Sequence, residues 1–283
     1  MSEDADLQGA QLDVHIGDFK VTAIDDGFLT RPIDVMVGAP CENIAELAGT
    51  KITDPLIISV NAYLVEGRGL CALVDAGSGT VMGPDLGRLP KNLEKMGRSL
   101  GSITHVLLTH IHPDHSNGLI DAAGNALFPN AEIAVHEEEI AFWVDRDPSQ
   151  AAHDRQRGNM INARRSFAPY ARRMTRITDC EFLPGVSVRK SPGHTPGHCC
   201  WTIESGGESL VIWGDTLHLP SAQLINPLIG WVHDIDPALA TQSRLRLLDQ
   251  LSVEGSRVAG MHHDFPGFAR LRRDKERYWF DPV

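Results

Sequence analysis

Apolar residues along this chain come in short runs broken by Gly, Pro and Asp, the spacing of buried strands joined by tight turns. FKVTAIDDG (Phe19 to Gly27), LIISVNAYLVEG (Leu56 to Gly67) and CALVDAGSG (Cys71 to Gly79) read as strands. Only Arg68, Gly69 and Leu70 separate the last two, which predicts a hairpin. LGRLPKNLEKMG (Leu86 to Gly97) reads as a helix, with Pro90 in its first turn and Gly at its end. ITHVLLTH (Ile103 to His110) and AEIAVHEEE (Ala131 to Glu139) are further strands. From Ile140 to Thr178 the chain turns polar and weakly periodic, which predicts helices and loops inserted as a cover over a site.

The second half follows the same grammar. VSVRKSPGH (Val186 to His194), HCCWTIES (His198 to Ser205) and SLVIWGDT (Ser209 to Thr216) predict three strands with short Gly-rich joins. PALATQSRLRLLDQL (Pro237 to Leu251) predicts a helix capped by Asp236, with Pro237 at its first position and Leu245, Leu248 and Leu251 on one face. SRVAGMHHDFPG (Ser256 to Gly267) predicts a last strand. Two such halves predict two sheets packed face to face with helices outside, an α+β architecture. Residues 1–12, acidic and polar, are expected to be a flexible tail, and 13–283 a single domain.

Charge narrows the function. The net charge of −11 and the lack of a Lys/Arg-rich face exclude nucleic acid as a partner. The most basic stretch, Ala163 to Arg176, reads as a solvated helix face or loop. Five cysteines, two adjacent and three within apolar runs, do not form a disulfide framework. Neither a signal peptide nor an apolar run of about 18 residues is present, so the expected setting is the cytoplasm, away from membranes.

Four predicted strands end in metal-binding side chains. The first ends in HIHPDH, which supplies His110, His112, Asp114 and His115; the second in PGHTPGH, which supplies His194 with His198 behind it. The third ends in WGDT with Asp215, and the fourth in GMHHDFPG with His262 or His263. Strand ends of one sandwich open onto a common edge, so these distant residues can meet. Imidazole and carboxylate suit zinc first, with manganese, cobalt or iron as alternatives. On an extended backbone His110 and His112 point the same way. Two ions about 3.5–4 Å apart need a shared anion, and a carboxylate such as Asp215 can bridge them.

With these motifs in this order the chain resembles the metallo-β-lactamase superfamily over nearly its whole length. The resemblance implies an αββα four-layer sandwich of two mixed sheets flanked by helices. It implies two divalent ions, one held by His110, His112 and His194 and the other by Asp114, His115 and His262, with Asp215 between them. The segments Gly214 to Pro227, Asp234 to Arg244 and His262 to Asp274 are similar to the branch of methyl parathion hydrolase and related lactonases. In that branch the last ligand precedes Phe-Pro-Gly by three residues, which selects His262 over His263. Gly267-Phe268-Ala269-Arg270 departs from the Gly-His usual in relatives and leaves substrate preference open. True β-lactamases carry cysteine at the place of Asp215, and glyoxalase II-like enzymes carry a C-terminal helical domain that the roughly twenty residues after His262 cannot form.

The expected activity is metal-dependent hydrolysis by a metal-bridging hydroxide, with Asp114 both ligand and proton shuttle. No Gly-x-Ser-x-Gly elbow is present. The negative charge and the lack of a basic clamp favour a small neutral lactone, such as an N-acyl homoserine lactone, or a carboxylic ester. Phosphotriesters come second, and a mononuclear iron oxygenase or thioester hydrolase on the same fold comes last. The resemblance allows a homodimer. Asp75, at the end of LVDAG, is expected to orient a ligand histidine, and His218 to stand behind the metals or face substrate. His198 is expected to order its turn by a hydrogen bond, and Trp143, Trp231, Phe167 and Phe265 to line an apolar pocket or pack in the core.

Overall fold

The computed structural model describes residues 12–275, 277–281 and 283. Its strands are, in chain order, β1 (Asp13–Ile16), β2 (Phe19–Arg31), β3 (Met36–Val37), β4 (Leu56–Gly67), β5 (Leu70–Val74), β6 (His105–Leu107), β7 (Glu132–His136), β8 (Met174–Ile177), β9 (Cys180–Leu183), β10 (Val186–Lys190), β11 (Cys199–Ser205), β12 (Glu208–Ile212), β13 (Gly230–Trp231), β14 (Arg257–Ala259), β15 (Phe268–Asp274) and β16 (Arg277–Asp281). One seven-stranded sheet runs β1-β2-β4-β5-β6-β7-β8 and the other β16-β15-β14-β12-β11-β10-β9, while β13 and β3 form a small ribbon. Both large sheets are mixed. β5 through β8 pair in parallel, as do β12 and β14, and the other pairs are antiparallel.

Period-two alternation explains the layering. In β4, Tyr63 and Val65 join Val21, Val74, Leu107, Trp201 and Ile212 in the core between the sheets. Their neighbours Ala62 and Leu64 face the other way, toward Leu89 and Leu93 of α2 (Leu89–Lys95) and Met160 and Phe167 of α5 (Asp154–Phe167). On the far side, Val211, Val258 and Leu271 of the second sheet pack on Leu248 and Leu251 of α7 (Pro237–Glu254). The expected α/β/β/α order is present. In α7 the Asp236 carboxylate caps the Leu239 N–H at 3.0 Å, an interaction worth about 0.5–2 kcal/mol.

Several elements differ from expectation. β6 is only three residues long, because the chain leaves the sheet at Leu108 to begin the histidine loop. The stretch 140–178 holds a π-helical turn (Ile140–Asp145) and α5, but it ends in the edge strand β8, whose polar residues give no apolar run. Within it the arginines are mostly exposed, yet Arg164, Arg165 and Arg173 donate to main-chain carbonyls of neighbouring loops. The predicted last strand is β14 alone. Its continuation is a turn, and β15 and β16 complete the sheet from a charged segment in which Ala269, Leu271 and Tyr278 turn inward. The expected tail lies outside the described residues except for Leu12, whose carbonyl accepts the Ala23 N–H at 2.8 Å. All five cysteines are free, and Cys199 and Cys200 are buried. Among the described residues no helix is long and apolar enough to cross a membrane.

Candidate metal centre

β5, β6, β10, β12 and β14 all end at one edge of the sandwich, and the loops that follow them carry Asp75, His110 to His115, His194, Asp215 and His262. Main-chain bonds between the two sheets hold this edge closed. Cys199 N–H donates to Thr109 O at 2.9 Å and Asn61 N–H to Met261 O at 2.8 Å. The Trp201 indole donates to Leu108 O at 3.1 Å.

Three overlapping groups of side chains converge there, one of them Asp215, His218 and His262. Donor atoms of His110, His112, His194 and Asp215 all lie within 4.8 Å of one another, and so do those of Asp114, His115 and His262. His112 turns Nδ1 inward, 3.1 Å from Nε2 of His110 and 2.9 Å from Nε2 of His194. Asp215 lies between the groups. Its Oδ2 is 3.1 Å from His194 Nε2 and 3.2 Å from His262 Nε2, while Oδ1 is 3.2 Å from His115 Nε2. Asp114 Oδ2 stands 3.6 Å from His115 Nε2 and 3.7 Å from His262 Nε2.

The outer ring nitrogens are fixed by acceptors. Nδ1 of His115 donates to Asp75 at 2.7 Å, Nδ1 of His194 to Asp234 at 2.8 Å and Nδ1 of His262 to the Ser59 carbonyl at 2.8 Å. Each bond fixes the outer nitrogen, so that Nε2 is the ring atom that faces inward. Asp75, in a left-handed conformation with φ of 63°, also accepts the N–H and the hydroxyl of Thr109, both at 2.8 Å. His198 donates Nδ1–H to Ser191 O and accepts the Asp215 N–H on Nε2 at 2.9 Å, as its expected turn-ordering role requires. Gly214 has φ +55, and a Cβ there would fall 2.5 Å from that Nε2, so only glycine brings Asp215 in.

His262 is the member of the pair that enters the centre. His263 turns away: Nε2 accepts the Trp213 indole N–H and Nδ1–H donates to Gly267 O, both at 3.1 Å. Burial pushes His263 down to about 3, with neighbouring His262 acting in the same direction. His218 stacks on Trp231 with centroids 4.4 Å apart and planes 6° from parallel, and its Nε2 reaches Asp215 Oδ2 at 3.1 Å. Trp143 stands edge-on to His112 and lines a cavity of about 400 Å³ above it. Phe265 packs against the core between the sheets, and Phe167, the last residue of α5, is buried in the core beneath that helix's sheet-facing side.

Electrostatics show what the side chains need. Burial and the other histidines hold His110 and His112 well below the usual imidazole range. Burial also opposes a charge on His194, but hydrogen bonds to Asp215 and Asp234 outweigh it and raise it to about 9. Against its own burial, Asp215 is held well below the carboxylate range by His115, His262 and His110. His115 Nε2 and Asp215 Oδ1 are buried without a hydrogen-bond partner. Two buried polar atoms that face each other at 3.2 Å without a hydrogen bond are an arrangement that a cation between them would satisfy. The donor set therefore fits divalent ions.

Three residues of this framework, Glu139, Asp234 and Arg244, are given no individual role by the sequence. Glu139 is buried and accepts Ile111 N–H on Oε2 and Gly197 N–H on Oε1, both at 2.8 Å, which ties the two histidine motifs together. A Cβ at Gly197 would lie 2.7 Å from Glu139 N. In the sequence Glu139 is one of three consecutive glutamates and nothing separates it from its exposed neighbour Glu137. Asp234 and Arg244 bound the segment that resembles the lactonase branch. Arg244, 2% exposed, lies near Asp234 and donates to the carbonyls of Thr216, Pro227 and Ile229.

Residues 57–262 match the metallo-beta-lactamase superfamily, and the chain belongs to that family of hydrolases. It is 27% identical over 191 residues to the Bacillus subtilis protein YobT, covering 67% of this chain and 75% of that one. To an N-acyl homoserine lactonase of Bacillus thuringiensis it is 26% identical over 169 residues, covering 59% of this chain but only 58% of the lactonase. Among solved structures it is similar to the beta lactamase superfamily hydrolase AbOPH, with a TM-score of 0.89, 28% identity and 96% of each chain covered. It is also similar to AidC, a dizinc quorum-quenching lactonase seen with a product homoserine, with a TM-score of 0.87, 25% identity and 96% of each chain covered.

Proposed function

We propose that this protein is a dinuclear metal-dependent hydrolase that opens lactones, N-acyl homoserine lactones among them, or cleaves carboxylic esters. The observation that carries the reading is the meeting of two histidine–aspartate groups at Asp215, with unpaired buried atoms of Asp215 and His115 facing each other. Similarity to two lactonases supports the substrate class. In this reading His110, His112 and His194 hold one ion, Asp114, His115 and His262 the other, and Asp215 serves both. The ions, zinc first, supply the Lewis acidity that makes water a nucleophile near neutral pH and polarises the carbonyl.

The chain does the rest. Asp75, Asp234 and the Ser59 carbonyl keep three imidazoles in one tautomer and one orientation through turnover. Asp114 is the most open of the seven, with 12% of its side chain exposed against 3% for Asp215. Its Oδ2 is turned toward His115 and His262, which leaves Oδ1 to take a proton from the nucleophile and pass it to the leaving oxygen. Trp143 packs edge-on against His112 and so limits the ring's movement.

Metal quantification and a panel of lactones, aryl esters, a phosphotriester and a β-lactam test the proposal. Two ions per chain, with acid release from lactones and esters foremost, is the expected result. Turnover that survives exhaustive chelation, or that disappears only when a serine is replaced, overturns it.

A further inference from the structure

The cavity above His112 gathers positive charge in a chain whose net charge is −11. Arg146 and Arg155 line it, together with His233 and Trp143. Arg155 donates to Nε2 of His233, so the imidazole is the neutral acceptor and the guanidinium keeps its charge. Arg146 donates to the Gln150 carbonyl and lies over the Phe142 ring, and Arg31 donates to the Thr30 carbonyl. Among the described residues none of these three arginines has a carboxylate within 4.0 Å. Asp234, the acid in the cavity wall, is already occupied by His194 and by the Trp231 N–H. Beyond the effect of burial, Arg31 is near enough to Arg155 and His233 to disfavour a charge on either. Like charges collected around a pocket beside a reaction centre, with no carboxylate paired to them, favour an anion there.

We infer that the substrate carries a carboxylate at the end remote from its ester or lactone carbonyl, and that Arg155 and Arg146, which line the cavity above His112, receive that carboxylate, with Arg31 adding its charge from outside the lining. This rests on the proposed hydrolase and narrows it. It also departs from the neutral substrate that the sequence favours, because residues 31, 146 and 155 form no basic cluster until the fold brings them together. A singly charged carboxylate fits better than a phosphate dianion, since Asp114 also acts on Arg155 and the chain as a whole repels added negative charge.

Two matched pairs test this on the metal-loaded protein. The first is a pair of unreactive amides, adipic acid monoanilide and N-phenylhexanamide, with binding read by calorimetry. The second is the ester pair monophenyl adipate and phenyl hexanoate, read as kcat/KM. The acid of each pair should be favoured at least about tenfold at low salt, and the preference should shrink as salt is raised. Arg155→Gln should abolish the preference, Arg31→Gln should reduce it and Arg155→Lys should retain part of it. Equal binding of the two amides, or a preference that survives in Arg155→Gln, overturns the inference. Hydrolysis of both esters at equal rates sinks the carboxylate site and leaves the hydrolase standing. Selective binding of the acid amide with neither ester turned over does the reverse.

Discussion

Asp75 accepts the Nδ1–H of His115 at 2.7 Å from a left-handed backbone position at the end of β5. The same carboxylate holds both the N–H and the hydroxyl of Thr109, the residue that precedes His110. One side chain thus positions both ends of the first histidine motif. Asp75→Asn preserves size and tolerates the left-handed conformation, but it removes the charge that makes His115 a strong donor. Metal titration of this variant should show affinity weakened by about 10–100-fold, with activity falling in parallel. Unchanged affinity would mean that Asp75 only braces the loop.

Glu139 joins the His110–His115 loop to the His194–His198 loop through two main-chain N–H groups. Glu139→Gln sets an amide NH₂ against one of those donors, which leaves a buried N–H unpaired at a cost of about 1–3 kcal/mol. Urea unfolding should report that loss. Metal occupancy should fall as well, because the two loops are no longer held in register.

Arg244 satisfies three carbonyls and lies beside Asp234, which in turn holds His194. Replacing it with leucine leaves the buried carbonyls of Thr216 and Pro227 without that donor, at a cost of about 1–3 kcal/mol for each unpaired group. The midpoint of urea unfolding should drop accordingly. A midpoint within experimental error of wild type would show that water replaces the guanidinium.

His263 gives the fold a dependence on pH. It is neutral in the folded protein because Nε2 must accept from Trp213, and burial lowers it to about 3 from an ordinary 6.5. Between those values the unfolded chain binds a proton that the folded chain refuses. Stability from this residue is therefore complete above pH 6.5 and is lost as pH falls toward 3, at up to about 1.4 kcal/mol per pH unit. His263→Gln should be less stable than wild type at pH 7, with the gap closing as pH is lowered. A gap that stays constant from pH 7 to pH 4.5 would remove His263 as the cause.

Ions that bind the folded centre and not the unfolded chain stabilise it by mass action, by about 2.7 kcal/mol at a hundredfold excess over Kd. Chelation should lower Tm, and zinc added back should restore it in a concentration-dependent way. Asp215→Ala should blunt that restoration more than any other single ligand change, since Asp215 alone contacts both groups. If the chelated and metal-loaded proteins melt together, the cluster holds no ion.

Much of this was open to reading from sequence, for a local reason. Alternating and continuous apolar runs fix which segments are strands, and His110, His112, Asp114 and His115 lie close enough in the chain for local geometry to aim them together. The Asp236 cap and the glycine beside Asp215 are local in the same way. What the fold alone decided concerns pairs distant in sequence. Glu139 is distinguished from Glu137 only by where the loops of Ile111 and Gly197 pass. His263 is excluded from the centre only because Trp213 and Gly267 occupy its nitrogens. β15 and β16 are strands because β14 offers an edge to pair with; the alternation of Ala269 and Leu271 with arginines is too short to mark them alone. The arginines around the cavity, more than a hundred residues apart at their extremes, become a single positive patch only after the chain has closed on itself, because the field at a site depends on distance through space.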